Sequence, residues 1–116
     1  MFKNTDKKRR ELLLSDRELI AKHYSALDAL QEKISRHDEG VATAISRLRD
    51  IAEYLTPSGE QNVYGLDVKI GNMIDDLRIA ASRAERIGVF VSCSPFLVKI
   101  EKILGERETA AASIKY

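Results

Sequence analysis

The chain has 116 residues, 44% hydrophobic, 32% charged and 6% aromatic, and its 19 basic and 18 acidic side chains leave a formal net charge of +1. That length supports one domain with a real core and leaves little room for a second. Abundant charge with few aromatics and no Trp fits a helical bundle better than a β-sandwich, and near-neutrality excludes a whole-molecule field pointing to nucleic acid or a membrane.

Residues 1–10 carry Lys3, Lys7, Lys8, Arg9 and Arg10 against Asp6 alone, which reads as a solvated basic arm, or as a contact for phosphate or an acidic partner face. The apolar run 12–14 is too short for a signal-peptide core or a membrane span. Together with a lone Cys93, which has no internal disulfide partner, it points to a cytoplasmic protein. Leu13, Ile20, Leu27 and Ile34 then recur at intervals of seven, with Tyr24 and Leu30 beside them, the pattern of a long amphipathic helix. Ser15-Asp16-Arg17-Glu18 has capping-box form and offers a start at Ser15; the register of Leu13 favours a helix already running from about Lys8. The pattern ends at His37-Asp38-Glu39-Gly40.

A second seam follows in Val41, Ile45, Leu48, Ala52 and Leu55, with Asp38 as N-cap and Glu39 favourable near the helix start. Thr56-Pro57-Ser58-Gly59 stops it. The break runs on to Gly65 as the longest polar segment, expected to be exposed and mobile, with Val63 and Tyr64 anchoring it. The third seam is the most regular: Leu66, Ile70, Met73, Leu77, Ala80, Ala84 and Ile87, at alternating spacings of four and three. Asp67, Lys69, Asp75, Asp76, Arg78, Arg83, Glu85 and Arg86 are assigned to water. Gly88 is a natural stop, and Val89-Phe90-Val91 is a short run of β-branched character. Ser94-Pro95 reads as N-cap and first helical position of a short last helix whose face is Phe96, Ile100, Ile103 and Leu104. Gly105 closes that helix and residues 106–116 form a mobile tail. The predicted fold is all-α: an antiparallel bundle of three main helices plus a short C-terminal helix, in a single domain spanning 1–116.

Chemical motifs are sparse. His23 and His37 lie fourteen residues apart, and neither has a Glu three positions earlier, so the ligand pattern of di-iron bundles is absent. One cysteine excludes the common zinc patterns, and six dispersed glycines make no phosphate loop. Cys93, between Ser92 and Ser94 ahead of a helix start, reads as a small buried structural thiol before a reactive one. Asp75 and Asp76 are adjacent and splay about 100° apart on a helix. The expectation is no catalytic residue, no cofactor and no metal.

Two alternatives have a sequence basis. Residues 25–36, Ser-Ala-Leu-Asp-Ala-Leu-Gln-Glu-Lys-Ile-Ser-Arg, resemble the first helix of the helical chorismate mutases, which implies a small all-helical enzyme. The chain departs from that family by breaking at Gly40, where the family's helix continues to a Lys. Ala84-Glu85-Arg86-Ile87-Gly88-Val89, followed by a helix over 94–102, resembles a helix-turn-helix. Its nucleic-acid contacts would be Lys7, Lys8, Arg9, Arg10, Lys99 and Lys102. The leading reading is a non-catalytic protein–protein interaction module, in the form of a small bacterial or phage accessory, inhibitor or chaperone-like protein. It acts through coiled-coil-like helix faces as a homodimer and contacts no membrane. Tyr24, Tyr54, Tyr64, Arg47 and Arg49 are its candidate contacts, because interface centres favour Tyr and Arg.

Overall fold

Buried residues at alternating intervals of three and four decide how this chain packs. A computed structural model describes the backbone of residues 2–112 and the side chains from Asp6 onward. Four helices form: α1 (Phe2–Ser35), α2 (Glu39–Glu53), α3 (Gln61–Ile87) and α4 (Ser94–Ala112), with a 3₁₀ turn over Val91–Cys93 leading into α4. The molecule measures 56 × 21 × 18 Å. At about 1.5 Å per residue α1 runs its full length, and α3 and α4 are too long to lie across its width. The chain therefore runs up, down, up and down along one axis. α1 packs on α2 and α3, α4 packs on α3, and α2 meets α4 over a much shorter stretch. This is an all-α bundle, as predicted.

Several details differ from the sequence reading. The fourth helix is not short: its 19 residues exceed the 15 of α2. Gly105 lies inside α4 with open space around it, so it interrupts nothing. Residues 106–112 are helical rather than a loose tail, and 113–116 lie outside the described residues. The predicted basic arm is likewise the first turns of α1, with Asp6 to Arg10 exposed; Met1 and the side chain of Lys3 lie outside the described residues. α1 passes through Ser15 without a break, as the register of Leu13 implied. The loop after α2 ends at Glu60 rather than Gly65, because Val63 is fully buried on the first turn of α3.

Other local signals acted as read. Asp38 caps α2, its carboxylate accepting from the Val41 N–H at 3.0 Å. Gly88 ends α3 at φ 73°, a conformation that L side chains avoid. The 89–91 run makes no strand. Phe90 turns inward instead, and its ring stacks on His37 at 5.5 Å, joining the α1–α2 turn to the α3–α4 connection. Ser94 has helical dihedrals and continues the 3₁₀ turn rather than capping α4.

The seam of α3 is the main correction. Its buried residues are Val63, Asp67, Ile70, Ile74, Leu77, Ala81 and Ala84. This is the predicted four–three spacing rotated about the shared sites Ile70, Leu77 and Ala84. Met73 and Ala80 are only partly buried, and Ile87 is 71% exposed. Asp67, assigned to water, is wholly inside.

Candidate functional site

The same spacing places four polar side chains in the core. On α1 the buried positions are Asp16, Ile20, His23, Leu27, Leu30 and Ile34. On α3 they include Val63, Asp67 and Ile70, and on α4 they are Leu97, Ile100, Leu104 and Arg107. The apolar members fill the middle and upper bundle. Asp16, Asp67 and Arg107 meet at the lower end, where the loop between α2 and α3 crosses over them.

Arg107 is the centre of this cluster. Its Nε donates to Asp67 Oδ1 at 2.9 Å and its Nη2 to Asp67 Oδ2 at 3.2 Å, a two-pronged grip on one carboxylate. The same Nη2 donates to the Thr56 carbonyl at 2.7 Å and reaches Asp16 Oδ2 at 3.4 Å. Asp16 Oδ2 also accepts from the Ser58 N–H at 2.7 Å. The loop is thus tied down by one carbonyl and one amide, so the mobile segment expected from sequence is a fastened cover. Asp16 Oδ1 meets no donor among the described residues. His23 Nε2 lies 2.9 Å from the Asp67 carbonyl, which only accepts, so this nitrogen carries the hydrogen. Gly71 lets α3 approach closely enough for this bond: a Cβ there would stand 3.1 Å from His23 Cε1.

Two acids face one guanidinium in a space closed to water. Burial, followed by a hydrogen bond with the Asp67 carboxyl, pushes Asp16 up from 3.8 to about 7; the Ser58 N–H and Arg107 oppose the rise. Burial also lowers His23, which stays neutral at neutral pH. With Asp16 protonated, Asp67 and Arg107 are left as a balanced ion pair. Both Asp16 and Asp67 are 0% exposed, so the arrangement holds a proton and a loop and presents neither acid to a substrate. Among the described residues no group of three or more His, Cys, Asp or Glu side chains is placed to hold a metal ion, and no helix is long and apolar enough to cross a membrane.

The surface beside this cluster is grooved. Ile51, Tyr54, Leu55, Leu104, Arg107 and Ala111 line a cavity of about 610 Å³ between the lower ends of α2 and α4. Thr56 forms part of this wall and also of a cavity of about 840 Å³ on the other side of the loop, beside Arg9 and Arg10. Of the candidate contacts named from sequence, Tyr54 stands 82% exposed at the first groove. Tyr24 is half-buried across Leu55 from it, between α1 and α2. Tyr64 is half-buried on α3 and lines neither groove. Arg47 is exposed, whereas Arg49 is engaged with Asp28 at 3.0 Å and Asp50 at 3.1 Å. Cys93 is buried, and burial raises its thiol pKa, which makes it a poor nucleophile.

The residues of the nucleic-acid alternative are not assembled into one patch. Lys7, Lys8, Arg9 and Arg10 lie at the lower end of α1, with Arg9 paired to Glu60 at 2.8 Å. Lys102 and Lys99 sit about 15 and 20 Å up α4 from Ala112. α3 and α4 run antiparallel rather than crossing steeply as a helix-turn-helix does. The 25–36 run places Leu27, Leu30 and Ile34 in the core, while Asp28 and Lys33 pair with Arg49 and Glu85 on the surface.

Sequence reasoning missed Asp16, His23, Asp67 and Arg107. The available signal was the spacing itself: extending each apolar series by three and four residues, whatever the residue type, reaches all of them. Comparison of the chain with family models, curated proteins and solved structures finds no match.

Proposed function

We propose that this chain is a non-catalytic protein–protein interaction module that pairs with a second copy of itself through the groove between α2 and α4. The observation that carries this reading is Tyr54, 82% exposed beside Ile51 and the partly covered Leu55, where α2 ends and α4 continues past it. A large aromatic ring left in water at the open seam of a bundle is the kind of anchor that interfaces bury. A net charge of +1 sets little repulsion between copies.

Light scattering at 0.1 and 1 M salt tests the proposal. The expected result is a dimer insensitive to salt, since apolar contacts are not screened, and Tyr54→Ser together with Ile51→Ser should return the protein to a monomer of unchanged helicity. A wild-type monomer throughout the micromolar range, or a dimer indifferent to both substitutions, would refute it.

A further inference from the structure

We propose that the loop between α2 and α3 is a proton-controlled latch: beneath it two buried carboxyls, Asp16 and Asp67, meet one guanidinium, Arg107, and the loop stays shut while one of the acids is neutral and opens when both are ionised.

The geometry sets the terms. Asp16 faces Asp67 from α3, Arg107 from α4 and the Ser58 N–H from the loop. On its own helix the nearest titratable member of the cluster is His23, which is neutral and bonded to the Asp67 backbone. Asp50 on α2 and Glu108 on α4 line the groove beside Arg107, Asp75 lies toward His23, and the Arg9–Glu60 pair closes the outer side of the loop. Among the described residues Arg107 is therefore the only cation bonded to either acid, and Asp67 occupies two of its donors. Without its proton, Asp16 becomes a second buried anion. Its Oδ1 meets no donor among the described residues, so nothing there offsets the added charge.

Linkage gives the direction. A closed state that holds the Asp16 proton up to about pH 7 binds it more tightly than any state in which water reaches that carboxyl. Raising the pH therefore favours the state that admits water. Helices cover the cluster on three sides, and their backbones are fixed by their own hydrogen bonds; the loop is fixed by two bonds that end on the cluster itself. The loop is the cover that yields. With a closed-state midpoint near 7, the ratio of open to shut rises about tenfold between pH 6 and pH 8.5 and levels off above 7, where the shut state has itself lost the proton. Opening carries Thr56 away from the α2–α4 groove, so the latch would also reshape the surface around Tyr54. That consequence rests on the docking proposal above; the latch does not.

Amide hydrogen exchange at Ser58, read by NMR and divided by the intrinsic rate at each pH, tests it on the whole chain. In the wild type the Ser58 protection factor should fall about tenfold from pH 6 to pH 8.5. Asp16→Asn, which keeps that position neutral at every pH, should hold it constant. Asp67→Asn, which leaves Arg107 with a single acid, should also flatten it, so the inference stays testable if one variant fails to fold. The Asp16 side-chain carbonyl carbon should titrate in the wild type with a midpoint near 7. Flat Ser58 protection in the wild type, an equal fall in either folded variant, or an Asp16 carboxylate ionised throughout pH 5–9 would overturn the latch. A latch that operates in a protein that never dimerises would instead remove the docking proposal alone.

Discussion

Replacing Arg107 with Leu separates a structural keystone from a residue in a frayed end. The substitution removes the cation bonded to two fully buried carboxyls and leaves the Thr56 carbonyl without its 2.7 Å donor. Removing one partner of a buried pair costs about 3–5 kcal/mol, because the remaining charge stays desolvated. A stranded carbonyl adds part of a further 1–3 kcal/mol, roughly, in so far as water cannot enter. Against a stability of about 5–15 kcal/mol for a domain of this kind, a loss near 4 kcal/mol would leave the protein marginal at pH 7.5. Urea unfolding followed by far-UV circular dichroism reads this directly. The loss should shrink at pH 5, as protons neutralise the stranded acids. Converting Asp16, Asp67 and Arg107 together to Leu should recover most of the stability, since no charge is left buried. A change below about 0.5 kcal/mol for Arg107→Leu at pH 7.5, the ordinary value for a surface position, would refute the reasoning.

The proton linkage carries a sign of its own. Asp16 is raised in the folded state from 3.8 to about 7, so its stabilising contribution is complete below pH 3.8 and is lost as pH climbs through 7, an effect of at most about 4 kcal/mol that denaturant titrations of Asp16→Asn should no longer show. Gly88→Ala forces a Cβ into φ 73° and should cost about 1–2 kcal/mol by the same assay. Gly59→Ala would put a Cβ 2.9 Å from the Arg9 backbone carbonyl oxygen, lifting the loop from α1 at a cost of about 1–3 kcal/mol and raising Ser58 exchange at every pH. Cys93, buried and with its thiol pKa raised, should react with a disulfide reagent at least about a hundredfold more slowly in the native protein than in urea, because modification waits for an opening.

The legible part of this fold is the part where burial and apolar character coincide. Leu27, Leu30 and Ile34 on α1, and Ile45, Leu48 and Ala52 on α2, announce their faces because nothing polar shares them in those turns. Asp38 and Gly88 act through local geometry and need no distant partner. α3 offers two seams of identical spacing that share Ile70, Leu77 and Ala84. One continues through Leu66, Met73 and Ile87, the other through Val63, Asp67, Ile74 and Ala81. Counting apolar residues selects the first, and only Arg107, forty positions along the chain from Asp67, makes the second affordable. Arg107 was itself hidden, because Gly105 invited a stop and the residues after it are polar. The groove beside α2 was legible only through Tyr54, since its other wall is the part of α4 that was read as tail.

The polar cluster also bears on the order in which the chain assembles. α1 with α2, and α3 with α4, are neighbours in sequence, and each pair can form a hairpin without closing a long loop. The cluster spans 40 to 91 residues and includes a member from each hairpin and the segment that joins them. The grip of Arg107 on Asp67 lies within the second hairpin, but the bonds that reach Asp16 and the joining loop exist only once the two hairpins have docked in the correct vertical alignment. These bonds between hairpins are expected to form after the rate-limiting step. Weakening them should hasten unfolding while leaving the refolding rate nearly untouched, and their contribution to the molecule is how long the native state persists rather than how quickly it is reached.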